Sequence, residues 1–95
     1  MGWELMVYQD KQFQSEEMFL QKIINAENVG VAVKTARLEK GLTQKDLAGN
    51  ILSEKTVHRI EKGQVLPSLF TFFYILSRLE LSADSFLSLL SDLFL

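Results

Sequence analysis

The residues of this chain best suited to chemistry lie in the stretch Ser53-Glu54-Lys55-Thr56-Val57-His58-Arg59-Ile60-Glu61-Lys62-Gly63. On a helix of about 3.6 residues per turn, Val57, Ile60 and Glu61 fall together, while Glu54, Lys55, His58, Arg59 and Lys62 occupy the opposite side. One face can pack and the other is entirely polar. These polar side chains are of the kinds that read base edges: Arg and Lys donate to guanine, and a carboxylate accepts from the amino group of cytosine. Taken alone, such a stripe is more commonly a solvated helix face. The stretch before it, Gly41-Leu42-Thr43-Gln44-Lys45-Asp46-Leu47-Ala48, strengthens the nucleic-acid reading. It reads as a second short helix opening at Thr43 and Gln44, where free backbone N–H groups could meet a phosphate. Two short helices joined by a tight turn fit the major groove of DNA.

Other chemistries find little support. There is no cysteine, which excludes disulfides, thiol catalysis and cysteine-ligated zinc, and His58 is the only histidine. His58 therefore reads as an exposed helix residue. No glycine-rich phosphate loop, paired-carboxylate pattern, nucleophile–base pattern or ligand cluster is present, so the expectation is not an enzyme and no cofactor. Trp3 and Tyr8 could offer a stacking platform for bases, although an arm or strand packed on the domain is the simpler use. The net charge of -2 argues against a polyanionic partner until it is divided along the chain. Residues 1–28 sum to -3, residues 29–63 to +3 and residues 64–95 to -2. The middle third, where both short helices lie, has the basic excess a phosphate-facing surface needs. No apolar run reaches the roughly 20 residues of a membrane span. The segment MGWELMVYQDKQ lacks the basic-then-apolar order of a secretory leader. The expected setting is cytoplasmic and nucleoid-associated, of bacterial type.

The elements that must position these residues can be placed from their caps and stops. The 95-residue length suits one domain with a modest core. Residues 3–8 read as a short strand or extended arm. Ser15, followed by Glu16 and Glu17, reads as the cap of an acidic helix running to about residue 26. Asn28 is a second cap candidate, opening a helix with Val29, Val33, Ala36 and Leu38 inward and Gly41 as its stop. Thr43 with Asp46 forms a capping box for a helix extending through residue 50, with Ile51 and Leu52 as the turn. Ser53 caps the polar helix and Gly63 ends it in a left-handed cap. Pro67 and Ser68 open a helix over 69–79, and Ser82 opens a last one over 83–93. The fold class is all-α, divided into an N-terminal arm or extra helix (1–28) and a helix-turn-helix domain with an apolar C-terminal helix (29–95).

Taken together, these residues resemble the helix-turn-helix domain of the XRE/Cro/lambda-repressor family. The resemblance spans residues 29–86 and rests on Gly41-Leu42-Thr43-Gln44, Leu47-Ala48, Ser53, Thr56-Val57, Arg59-Ile60-Glu61-Lys62-Gly63, Pro67-Ser68-Leu69 and Leu79. It implies a five-helix bundle, here with an extra N-terminal helix or arm, in which the third helix is the recognition helix. It also implies that Glu54, Lys55 and Arg59 read bases, that Gln44, assisted by Thr43, and Lys62 contact phosphates, and that Arg37 and Glu61 form a buried salt bridge. One departure stands out. Gly49-Asn50-Ile51-Leu52 supplies four residues where the family pattern has five with a glycine in the turn. Rgg-type regulators of Gram-positive bacteria show a similarly shortened turn. A shorter turn is expected to tilt the recognition helix, which bears on Glu54 and Lys55 more than on Arg59.

Helices 69–79 and 83–93 are unusually apolar. Phe70, Phe72, Phe73 and Tyr74 are too many neighbouring aromatics for one buried stripe, and Phe86, Leu87, Leu89, Leu90, Leu93, Phe94 and Leu95 wrap much of the last helix. A homodimer through these C-terminal helices would bury the excess and would suit two half-sites one helical turn apart. The alternative is that the acidic helix near Met18 and Ile24 folds back over it. The leading expectation is a sequence-specific regulator of transcription that binds double-stranded DNA, a dimeric repressor. It would be a minimal regulator or the DNA-binding part of something longer, since no sensor domain is evident. Two alternatives stand beside it: an antitoxin that binds both DNA and a toxin, and a protein-interaction module that kept the fold and takes a protein partner.

Overall fold

The computed structural model describes residues 17–18 and 20–95. Among them, a helical stretch over residues 20–23 leads into α1 (Ala26–Glu39), α2 (Gln44–Ala48), α3 (Glu54–Glu61), α4 (Leu69–Leu79) and α5 (Ala83–Phe94). The described residues are helices and connecting turns, with no strand. Residues 3–8 and the Ser15 cap lie outside them. No helix of the described residues is long and apolar enough to cross a membrane.

Each labelled helix starts where a short polar side chain can replace a missing backbone acceptor. Asn25, Thr43, Ser53, Ser68 and Ser82 all have extended backbone and accept from the N–H three residues on. Thr43 and Asp46 form the full reciprocal box. Three helices close in the same way at the other end, with crossed bonds onto the last carbonyls and a left-handed residue after the helix. That residue is Gly41 (φ 71°) after α1 and Gly63 (φ 73°) after α3. After α4 it is Glu80 (φ 56°), a residue with a Cβ that disfavours this conformation.

Three expectations need correction. The cap of α1 is Asn25, so the preceding helix stops at residue 23 instead of running to 26. Asn28 lies inside the first turn of α1, and its side-chain amide donates back to the Lys22 and Ile23 carbonyls, closing the end of the preceding helix. Leu38 is 58% exposed, and Ala32 takes a place in the core instead. The reason is geometric: Ala32, Val33, Ala36 and Arg37 follow the three- and four-residue spacing of one helix face, from which Leu38 is rotated away. Finally, α2 ends at Ala48, because Gly49 (φ 58°) leaves helical backbone, so Gly49 and Asn50 belong to the turn.

The core is one cluster drawing on every labelled helix. It joins Val29, Ala32, Val33 and Ala36 of α1, Leu47 and Ala48 of α2, Val57 and Ile60 of α3, Ile75, Leu76 and Leu79 of α4, and Phe86 and Leu90 of α5. Ile23, from the segment preceding α1, has no exposed surface and joins the same cluster. α1 packs on α3 and α5, α2 lies against α3 and α4, and α4 meets α5. The approach of α1 to α3 depends on Gly30. A Cβ there would lie 2.9 Å from the Glu61 carbonyl oxygen and collide with that of Ile60.

Candidate nucleic-acid interface

α3 is held with one face in the core and the other in solvent. Val57 and Ile60 are buried, as is Glu61, while Glu54, Lys55, His58, Arg59 and Lys62 are all exposed. Ser53 spends its hydroxyl oxygen on the Thr56 N–H, which fixes the start of the helix and presents Glu54 and Lys55 in its first turn. Arg59 stands one turn on from Lys55 and projects from the same polar side. Lys62 closes the helix as its C-cap.

The buried member of this helix, Glu61, anchors a polar network. Its carboxylate receives two parallel bonds from Arg37 of α1, Nε to Oε2 at 2.7 Å and Nη2 to Oε1 at 2.9 Å. The remaining guanidinium nitrogen, Nη1, donates to the Leu42 carbonyl at 2.8 Å, in the loop before α2. Gln44, the first residue of α2, is half-buried and donates its side-chain amide to Glu61 Oε1 at 3.1 Å. Among the described residues, no buried side-chain polar atom lacks a partner. Hydrogen bonding to Glu61 raises the Arg37 pKa above its usual value against the opposing effect of burial. Arg37 is thus a charged structural tie between α1, the α1–α2 loop and the end of α3. Thr43 is exposed beside Gln44, and its N–H donates to Asp46, which holds that carboxyl below the usual carboxylate range.

The comparisons with known proteins agree with this geometry. A family model described as helix-turn-helix matches residues 33–86, more than half of the chain. The chain belongs to the XRE-type helix-turn-helix family. A curated relative, antitoxin HipB of Escherichia coli O6:H1, is 39% identical over 66 residues, covering 68% of this chain and 70% of the relative. No solved structure matches the chain significantly. As a helix-turn-helix protein the chain is a DNA-binding regulator, with α2 and α3 as its paired helices.

Within the helix-turn-helix, the structure adds side chains that sequence reasoning missed. Tyr74 of α4 donates its hydroxyl to the Ala48 carbonyl at 3.1 Å, and Arg78 donates to the Asp46 carbonyl. Both bonds land on carbonyls in the last turn of α2, and that of Ala48 also accepts from the Leu52 N–H at 3.1 Å. A Cβ on Gly49 would run into the Tyr74 hydroxyl and come within 3.4 Å of the Arg78 guanidinium, so the turn is pressed directly against α4. No local pattern announces this clamp, because its partners are separated by 26 and 32 residues. The turn after α2 is therefore held from outside by α4, and α2 is tied at both ends.

Proposed function

We propose that the chain is a sequence-specific repressor of transcription that binds double-stranded DNA as a homodimer and reads the major groove with α3. The observation that carries the reading is the division of α3 into a buried face of Val57, Ile60 and Glu61 and an exposed face of Glu54, Lys55 and Arg59. Glu54, Lys55 and Arg59 are assigned to base edges. Thr43, Gln44 and Lys62 are assigned to phosphates, which set register without reading sequence. The homodimer is supported by the unsatisfied apolar surface of the C-terminal helices, where Leu69 is 72%, Phe70 67% and Phe73 52% exposed. Met18 and Leu20, in the segment before α1, are themselves exposed and add to the apolar surface.

The test is selection from a pool of random duplexes, followed by affinity measurement over a range of salt. An enriched inverted repeat with half-sites about 34 Å apart is expected for a dimer. Log affinity should fall against log salt with a slope of about -0.9 for each phosphate contacted. Absence of enrichment together with absence of binding at low salt would remove the reading.

A second reading is favoured by the similarity to a protein named as an antitoxin. In it the chain binds DNA in the same way, and its apolar flanks engage a toxin. A neighbouring gene whose product arrests growth unless this chain is present would establish that reading.

A further inference from the structure

We infer that Glu61 is a positioning residue for DNA binding: through its bond to Gln44 it holds the glutamine amide ready for a phosphate. The inference rests on the DNA-binding reading and on the assignment of Gln44 to a phosphate. Glu61 Oε1 takes two donors, Arg37 Nη2 at 2.9 Å and Gln44 Nε2 at 3.1 Å. Arg37 fixes the carboxylate with its second bond, Nε to Oε2 at 2.7 Å, and fixes the chain ahead of Gln44 through the Leu42 carbonyl. Both the backbone entering α2 and the side chain of its first residue are thus referred to one buried ion pair.

The chemistry of the amide makes this arrangement useful. A glutamine NH₂ group has two N–H donors, and a carboxylate only accepts. Glu61 occupies one donor and thereby sets the direction of the other. An unrestrained glutamine would have to give up its rotamer freedom when a phosphate arrives, whereas a side chain already held gives up little. The ion pair therefore does more than join α1 to α3. It carries the order of the core to a residue at the DNA-facing end of α2, and its effect on binding is independent of base sequence.

The experiment is a double-mutant cycle of Gln44→Ala and Glu61→Ala, read as affinity for random-sequence duplex at low salt and corrected for the folded fraction. Glu61→Ala should weaken binding by about five- to tenfold when Gln44 is present and by no more than about twofold when it is Ala, the non-additivity expected of contacting residues. The weakening should be the same on a selected duplex, because phosphate contacts carry no sequence information. A side-chain relaxation measurement on the free wild-type protein covers the case in which Glu61→Ala does not fold. The Gln44 amide should be as ordered as backbone, with an order parameter of about 0.85, and the exposed Gln64 amide should fall below about 0.6. Equal mobility of the two amides, or additive effects in the cycle, overturns the inference while DNA binding stands. A wild-type chain that binds no duplex overturns both.

Discussion

The two halves of this molecule share one core and present opposite surfaces. Residues 29–63, which run from within α1 to just past α3, carry a net +3 and no Phe, Trp or Tyr. Their exposed side chains are dominated by charge, and their interior includes the bonded set Arg37, Glu61 and Gln44. From residue 64 onward the charge is -2, and six aromatics are concentrated in α4 and α5. Phe72 meets Phe86 edge-on at 5.3 Å inside the bundle, while Phe70 lies stacked at 6.4 Å on Tyr74 and is mostly in solvent. The first half achieves directional order, since hydrogen bonds fix angles as well as distances. The second supplies non-directional burial and retains apolar surface. That division suits a protein that reads a rigid polyanion with one half and engages an apolar partner with the other. α4 belongs to both halves, because Tyr74 and Arg78 reach across to α2.

The largest test of this contrast is removal of the buried pair. Arg37→Ala should lower stability by about 3–5 kcal/mol in urea unfolding, because Glu61 would keep its charge without its partner. Replacing both, as Arg37→Met with Glu61→Leu, should restore much of that loss. A single substitution no worse than a surface change would show that directional order is not what holds the first half. Next in size, Arg59→Ala should cost about 1–3 kcal/mol on a selected duplex and relax one base position, with little change in stability. Repeating the duplex selection with the variant checks it, and an unchanged consensus would remove Arg59 from the reading face.

In the second half, Phe70→Ser with Phe73→Ser should weaken self-association by more than about 1 kcal/mol in sedimentation equilibrium. Monomer stability should shift by only about 0.5 kcal/mol, since both rings are exposed. An unchanged association constant would leave the apolar face free for some other partner. A smaller gain is expected from Glu80→Gly, which relieves the left-handed backbone after α4. The relief is partly offset by greater freedom of the unfolded chain, so the net stabilisation in thermal melts should be about 1 kcal/mol or less. The ion pair that Glu80 makes with Lys40 at 3.4 Å is solvent-exposed, so its removal by the same substitution matters little.

The smallest effect concerns pH. The Asp46 carboxyl is held below its usual range by the Thr43 N–H, followed by the Thr43 side chain. A group whose folded pKa is lowered stabilises fully above its unfolded value, about 3.9 for Asp, and loses that contribution as pH falls through the lowered one. Thermal melts between neutral pH and pH ~3 should therefore show an acid-side decline that Asp46→Asn reduces. An identical decline in the variant would assign it to other carboxylates.

Much of the helical framework follows from local chemistry. Thr43, Ser53, Ser68 and Ser82 as starts, Gly41 and Gly63 as stops, and the polar face of α3 can all be read from residues within a few positions of one another. The energies that decide them are equally local: a side-chain oxygen meeting an N–H three residues away, or a glycine tolerating positive φ. Tertiary structure decided the rest. Asn25 and Asn28 are both plausible caps by type, and only the fold shows Asn28 drawn back to the Lys22 and Ile23 carbonyls. Leu38 is apolar enough for a core, yet the packing of α1 on α3 and α5 selects the face of Ala32 and Val33. Gly30 looks like an ordinary helix glycine until the Glu61 backbone is beside it. The Gln44–Glu61 bond spans 17 residues, and the Tyr74 and Arg78 clamp spans still more. By itself the sequence determined the helix starts, the stops and the kinds of side chain offered to a partner, because those depend on neighbours along the chain. Tertiary structure decided which apolar face is buried and how the ends of α2 are held, because those depend on where side chains and helices distant in sequence come to rest.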